Sequence, residues 1–162
     1  MKKASIFILL FLPLFLLGQE KAYLLMKARA LTESGKPDEA ITLLTGQGTE
    51  GLDVPVLLQR ADAYISAGNY SGATDDFNSA NKLSPGSGEY GLARIYGMKG
   101  DASTAVYHLE RCLGSPFKRS EKEIMLDQAF ASVENKTEWR QFWKKEWYTQ
   151  LEKGISEIEY YV

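Results

Sequence analysis

Gly68-Asn69-Tyr70-Ser71-Gly72-Ala73, followed by Phe77, Ala80 and Pro85, reads as the turn and second helix of a helical hairpin. Glycine belongs where the first helix ends, because a left-handed residue costs least without a Cβ. Proline at 85 stops the second helix, since it cannot donate to the helical ladder. Ahead of the turn, Leu57, Leu58, Ala61, Tyr64 and Ile65 share one helical face.

The same arrangement occurs on either side. Upstream stand Gly35-Lys36-Pro37-Asp38-Glu39-Ala40 and Leu44; downstream stand Gly100-Asp101-Ala102-Ser103-Thr104-Ala105, Leu109 and Cys112. The turn glycines Gly35, Gly68 and Gly100 thus recur at a nearly constant interval. Such an interval signals a stacked helical array, because one hairpin cannot bury its apolar face alone. Seven residues before each glycine is an alanine, Ala28, Ala61 or Ala93; four before it is Leu31, Tyr64 or Tyr96. The alanines allow close approach to Ala40, Ala73 and Ala105 on the second helix. Leu44, Phe77 and Leu109 join the larger residues in filling the space between.

These residues resemble the tetratricopeptide-repeat (TPR) family, whose 34-residue helix–turn–helix units carry a small residue, a tyrosine, an alanine, a phenylalanine and a terminal proline at such offsets. Three units are expected at 21–52, 54–85 and 86–117, with the middle one matching best. The first lacks the proline and leaves through Gly46, Gly48 and Gly51; the third has Cys112 where alanine is usual and Pro116 one position early. The resemblance implies an all-α fold, a right-handed α-solenoid of TPR units. It also implies a concave groove lined by the first helices, which binds a protein or peptide. The matching positions are Leu25, Arg29 and Thr32; Leu58, Asp62 and Ile65; and Tyr90, Arg94 and Met98. Lysines and asparagines that clamp a terminal carboxylate in some members are absent at these positions. Arg29 and Arg94 still offer a broad anionic contact, since guanidinium binds carboxylates through paired donors.

At the N-terminus, Lys2 and Lys3 precede an apolar run from Ile6 to Leu17, then Gly18 and Gln19. That run is short for a hydrocarbon core of about 30 Å, which takes about 20 helical residues. Residues 1–18 read as a secretory signal peptide cut after Gly18, with an uncleaved anchor as the alternative. The expectation is an exported bacterial protein, periplasmic or extracellular. Losing both lysines takes the formal charge from −2 to −4, which offers nothing to nucleic-acid phosphates.

Residues 119–153 read as two more helices, a degenerate, aromatic-rich fourth repeat or a cap. Ile124, Met125, Gln128, Ala129 and Ser132 outline the first, and Asn135 is placed to cap the second. Trp139, Trp143, Trp147 and Leu151 recur every four residues beside Phe142, as one helical stripe. The stripe serves either as packing at the end of the array or as an exposed platform for a partner chain or a sugar. Residues 154–162 read as the start of a further helix.

Catalytic patterns are scarce. The single histidine, His108, and the single cysteine, Cys112, lie four apart on one predicted helix, two ligands where zinc takes three or four. Cys112 is expected in the core and His108 near the surface. Asp75-Asp76 suits solvation, because neighbours on a helix point apart. No cofactor, metal or catalytic residue is assigned. The expected role is a non-catalytic scaffold of the bacterial envelope; the alternative is a helper domain of a larger envelope enzyme.

Overall fold

A computed structural model describes residues 4–46 and 52–148, with side chains from residue 19 onward. Among these residues all regular structure is helical: α1 (Ala4–Glu33), α2 (Pro37–Thr45), α3 (Val54–Ser66), α4 (Tyr70–Leu83), α5 (Glu89–Met98), α6 (Ala102–Leu113), α7 (Glu121–Leu126), a 3-10 turn (Gln128–Phe130) and α8 (Thr137–Phe142). The backbone of α1 is helical from Ala4 and continues through Gly18. Residues 154–162 and Leu151 lie outside the described residues.

The three hairpins α1–α2, α3–α4 and α5–α6 share one turn geometry. Gly35, Gly68 and Gly100 have φ of 75°, 76° and 74°, in the left-handed region where side chains are strained. After each glycine, the next amide bonds back five residues: Lys36 to the Leu31 carbonyl (2.9 Å), Asn69 to Tyr64 (2.8 Å) and Asp101 to Tyr96 (3.0 Å). These bonds satisfy carbonyls that a helix end would otherwise leave open. Each second helix then starts from the residue after the glycine. Asn69 Oδ1 accepts from the Gly72 amide and Asp101 Oδ1 from the Thr104 amide, while Pro37 supplies a preset first helical position.

Packing follows the alanine pairs. Ala28, Ala61, Ala93, Ala40, Ala73 and Ala105 are all fully buried, as are Leu44 and Leu109, with Phe77 at 3%. Each of the larger side chains contributes about 1.5–3 kcal/mol by leaving water. α3 touches α1, α2, α4 and α5, so the first helices α1, α3 and α5 stand side by side. Two glycines allow close approach. A Cβ on Gly91 would lie 2.1 Å from the Phe77 ring, and one on Gly97 2.6 Å from the Ala129 carbonyl.

The C-terminal part differs from the two regular helices expected. α7 has six residues, the 3-10 turn follows it, and α8 stops at Phe142 with Trp143 as its last cap. Trp139, Trp143 and Trp147 therefore do not form one helical stripe. The Trp147 indole donates to the Phe142 carbonyl (2.7 Å), Lys118 Nζ donates to the Trp147 carbonyl (2.8 Å), and the Tyr148 hydroxyl donates to the Arg119 carbonyl (2.8 Å). Side chains thus satisfy carbonyls here, and the chain folds back over the core. The helix start also shifts: Lys136, not Asn135, is the cap, with no side-chain bond. Ser120 and Glu123 instead form a reciprocal capping pair at α7.

Candidate partner-binding face

The nine sequence-predicted groove residues fall at equivalent positions of α1, α3 and α5, which pack side by side. Leu25, Leu58 and Tyr90 make one set, Arg29, Asp62 and Arg94 the middle row, in which Asp62 and Arg94 touch, and Thr32, Ile65 and Met98 the third. All nine are at least partly open to solvent. The helices arrive in step because the turn glycines recur at a nearly constant interval and each hairpin closes with the same geometry.

The middle row is a charge network. Arg94 Nη1 donates to Asp62 Oδ1 at 3.1 Å, and Arg94 Nε lies 2.9 Å from Asp127 Oδ2, close enough for an ion pair though its N–H is not aimed at that oxygen. Asp127 Oδ2 also accepts from the Tyr90 hydroxyl (2.8 Å), and Oδ1 accepts from the Ala129 amide (2.9 Å). Arg29 pairs with Glu33 one turn on, at 2.8 Å. Arg119 stacks 5.1 Å above the Tyr90 ring and pairs with Glu123. The expectation of two arginines open to an anionic partner therefore changes: Arg94 is already held between two carboxylates, and Arg29 has one beside it.

Two members of the network are perturbed by burial, Asp62 and Tyr90. The Asp62 side chain is 47% accessible, yet loss of water around the carboxyl raises its pKa above the ordinary 3.8, against the opposing pull of Arg94. Burial also raises the Tyr90 phenol, and the neighbouring Asp127 carboxylate adds to the effect. Asp127, Arg119 and Glu123 were not among the predicted site residues. A signal for Asp127 was present, for it follows Arg94 at nearly the interval that separates Arg94 from Asp62.

Two further polar assemblies lie between helices. Arg60 on α3 meets Asp76 on α4 with both bonds at 2.7 Å, the side chains being 12% and 7% accessible. Asp75 is exposed and Asp76 is buried, so solvation describes only the first. At the start of α5, Glu89 is 2% accessible. It accepts from Asn81 Nδ2 (3.2 Å) and Arg111 Nε (2.9 Å), and His108 Nδ1 lies 2.7 Å from its other oxygen. His108 is thus half-buried rather than near the surface, its ring stacked on Tyr96. Glu89 joins α4, α5 and α6 through charge-assisted bonds. Cys112 is fully buried and donates to the Phe117 carbonyl; burial pushes its thiol pKa up, which suits packing better than nucleophilic attack.

Of the aromatic platform residues, Trp139 is 6% accessible and stacks on Phe130 and Phe142; Trp143 and Trp147 are partly buried against the same cluster. A 260 Å³ cavity between α6 and α8 is lined by Ser103, Val106, Glu138, Gln141, Phe142 and the Glu110–Lys145 pair. It includes none of the groove positions. Among the described residues, no three His, Cys, Asp or Glu side chains converge as metal ligands, and no helix is long and apolar enough to cross a membrane. No protein-family model, curated protein or solved structure matches this chain.

Proposed function

We propose that the chain is an exported, non-catalytic scaffold of TPR type, a right-handed α-solenoid that docks a partner polypeptide along the face of α1, α3 and α5. One observation carries this reading: residues at equivalent positions of three successive hairpins lie on neighbouring first helices and stay partly open. A surface built on packed helices needs little ordering on binding, which favours affinity. Export rests on the charged and apolar start of the sequence, and the scaffold role on the pattern of the repeats.

The test is photo-crosslinking in cells of the native source. A benzophenone side chain is placed at Ile65 on this face or at Tyr107, which is 55% accessible on α6. A discrete protein adduct from position 65 that disappears in a folded Leu58→Glu/Met98→Glu background is expected. Equal adducts from both positions, or none from position 65, would overturn the docking role. Recovery of the protein in the cytoplasmic fraction would overturn export.

A further inference from the structure

Arg29, Asp62, Arg94 and Asp127 follow one another at the interval of the repeats and alternate in sign. The first three occupy one position of successive first helices. Asp127 extends the row by one unit from just beyond α7. The charges also meet in space: Arg94 contacts both Asp62 and Asp127, and Asp62 lies within the fields of Arg29 and Arg119.

We propose that this row is a self-neutralised charge ladder, and that it makes the face select an uncharged apolar peptide segment of its partner. The inference rests on the docking role proposed above. Each arginine of the strip already has a carboxylate beside it, Glu33 for Arg29, Asp62 and Asp127 for Arg94, and Glu123 for Arg119. Asp127 is only 18% accessible and its oxygens are taken by Tyr90, Ala129 and Arg94. A ligand carboxylate that captured Arg94 would leave Asp62 or Asp127 without its guanidinium in a partly dried site, where an uncompensated charge is costly. A ligand cation would be repelled by Arg29, Arg94 and Arg119 as it approached Asp62. Neither sign of charge gains, because each new pair replaces an existing one.

Apolar groups meet no such exchange. Leu25 and Leu58 flank the ladder on one side, Ile65 and Met98 on the other, all partly open. Covering them removes hydrocarbon from water without breaking a polar contact. Three helix axes about 9 Å apart give a face roughly 18 Å across, the reach of about six extended residues.

The experiment selects peptides from a random 12-residue library displayed against the immobilised full chain. Binding of the enriched peptides is then measured by fluorescence anisotropy at low and high sodium chloride. Leu, Ile, Met and Phe are expected to be enriched without excess of Asp, Glu, Lys or Arg. Affinity should change less than about twofold between 50 and 500 mM salt, a range that strongly screens exposed charge. It should fall about tenfold or more in Leu58→Glu/Met98→Glu, with helical content preserved. In Asp62→Asn/Asp127→Asn, which keeps one acceptor oxygen at each position but removes both charges and frees Arg94, a labelled acidic octapeptide should gain salt-sensitive binding. Charged peptides enriched on the unmodified chain, with strong salt dependence and loss in Leu58→Glu/Met98→Glu, would overturn the ladder proposal and leave the docking role standing. Failure of the acidic octapeptide to bind the Asn variant would also overturn the ladder proposal. If no selected peptide depends on Leu58 and Met98, both readings fall.

Discussion

Asp76→Ala removes the acceptor from a guanidinium that α3 holds against α4. Arg60 and Asp76 meet through two bonds of 2.7 Å, with 12% and 7% of their side chains accessible. The bond to Asp76 is also the main reason the Arg60 pKa stands above its ordinary value. With the carboxylate gone, the acceptor left among the described residues is Thr45 Oγ1 at 3.4 Å, too long to replace it. Breaking a buried pair from one side typically costs about 3–5 kcal/mol. Arg60 keeps some access to water, so the lower end, about 3 kcal/mol, is expected. For a chain of this size that lowers Tm by about 10 °C. Urea unfolding followed by far-UV circular dichroism should show a lower midpoint with little change in slope. Arg60→Leu/Asp76→Leu, which removes both charges, should recover to within about 1 kcal/mol of the parent, because neither partner is then stranded. A loss below about 1 kcal/mol for Asp76→Ala, or a double variant no better than the single, would refute this reasoning.

Gly91→Ala should destabilise more than Gly35→Ala in thermal melts. The first puts a methyl 2.1 Å from the buried Phe77 ring, whereas the second meets nothing within 4 Å and bears only its positive φ. Overpacking costs about 1–3 kcal/mol, occasionally more, and left-handed strain about 1–2 kcal/mol; equal melts would refute the contact. Glu123 has a carboxyl pKa below its ordinary 4.5, mainly through the Ser120 amide, so its stabilisation is complete above 4.5 and lost as pH falls through the lowered folded value. The stability gap between the parent and Glu123→Gln should close on acidification, and a gap independent of pH would contradict the linkage. Asp62 has the opposite sign: its pKa is raised from 3.8, so its contribution is lost as pH rises through the higher folded value. Asp62→Asn should remove that slope from the pH profile of unfolding, and an unchanged slope would count against the shift. Trp139 is the tryptophan most shielded from water; Trp139→Phe should remove most of the fluorescence that resists iodide, and loss of only the quenchable part would show the wrong ring is buried.

What the amino-acid order alone determined is local. A glycine is needed where φ is near +75°, a small residue where helices touch, and a capping side chain or proline where a helix begins. Such requirements act within a few residues of the chain, so the hairpins, their period and their alanine contacts were all legible. Period and helix face together also select the nine positions proposed for partner contact.

Tertiary structure alone decided which charges pair between helices. Asp75 and Asp76 are adjacent in sequence, but only Asp76 turns toward Arg60, which lies on the neighbouring helix α3. Glu89, His108 and Arg111 converge because α5 and α6 cross at that point; no local pattern marks the meeting. The aromatic segment makes the same point in the other direction. Its four-residue spacing suits a long helix, but helix formation competes with other ways of satisfying backbone carbonyls. Lys118 and the Trp147 indole take those carbonyls, and Tyr148 fastens the chain to the Arg119 carbonyl. Partners up to 29 residues apart thus ended α8 at Phe142, a choice that helical periodicity could not encode.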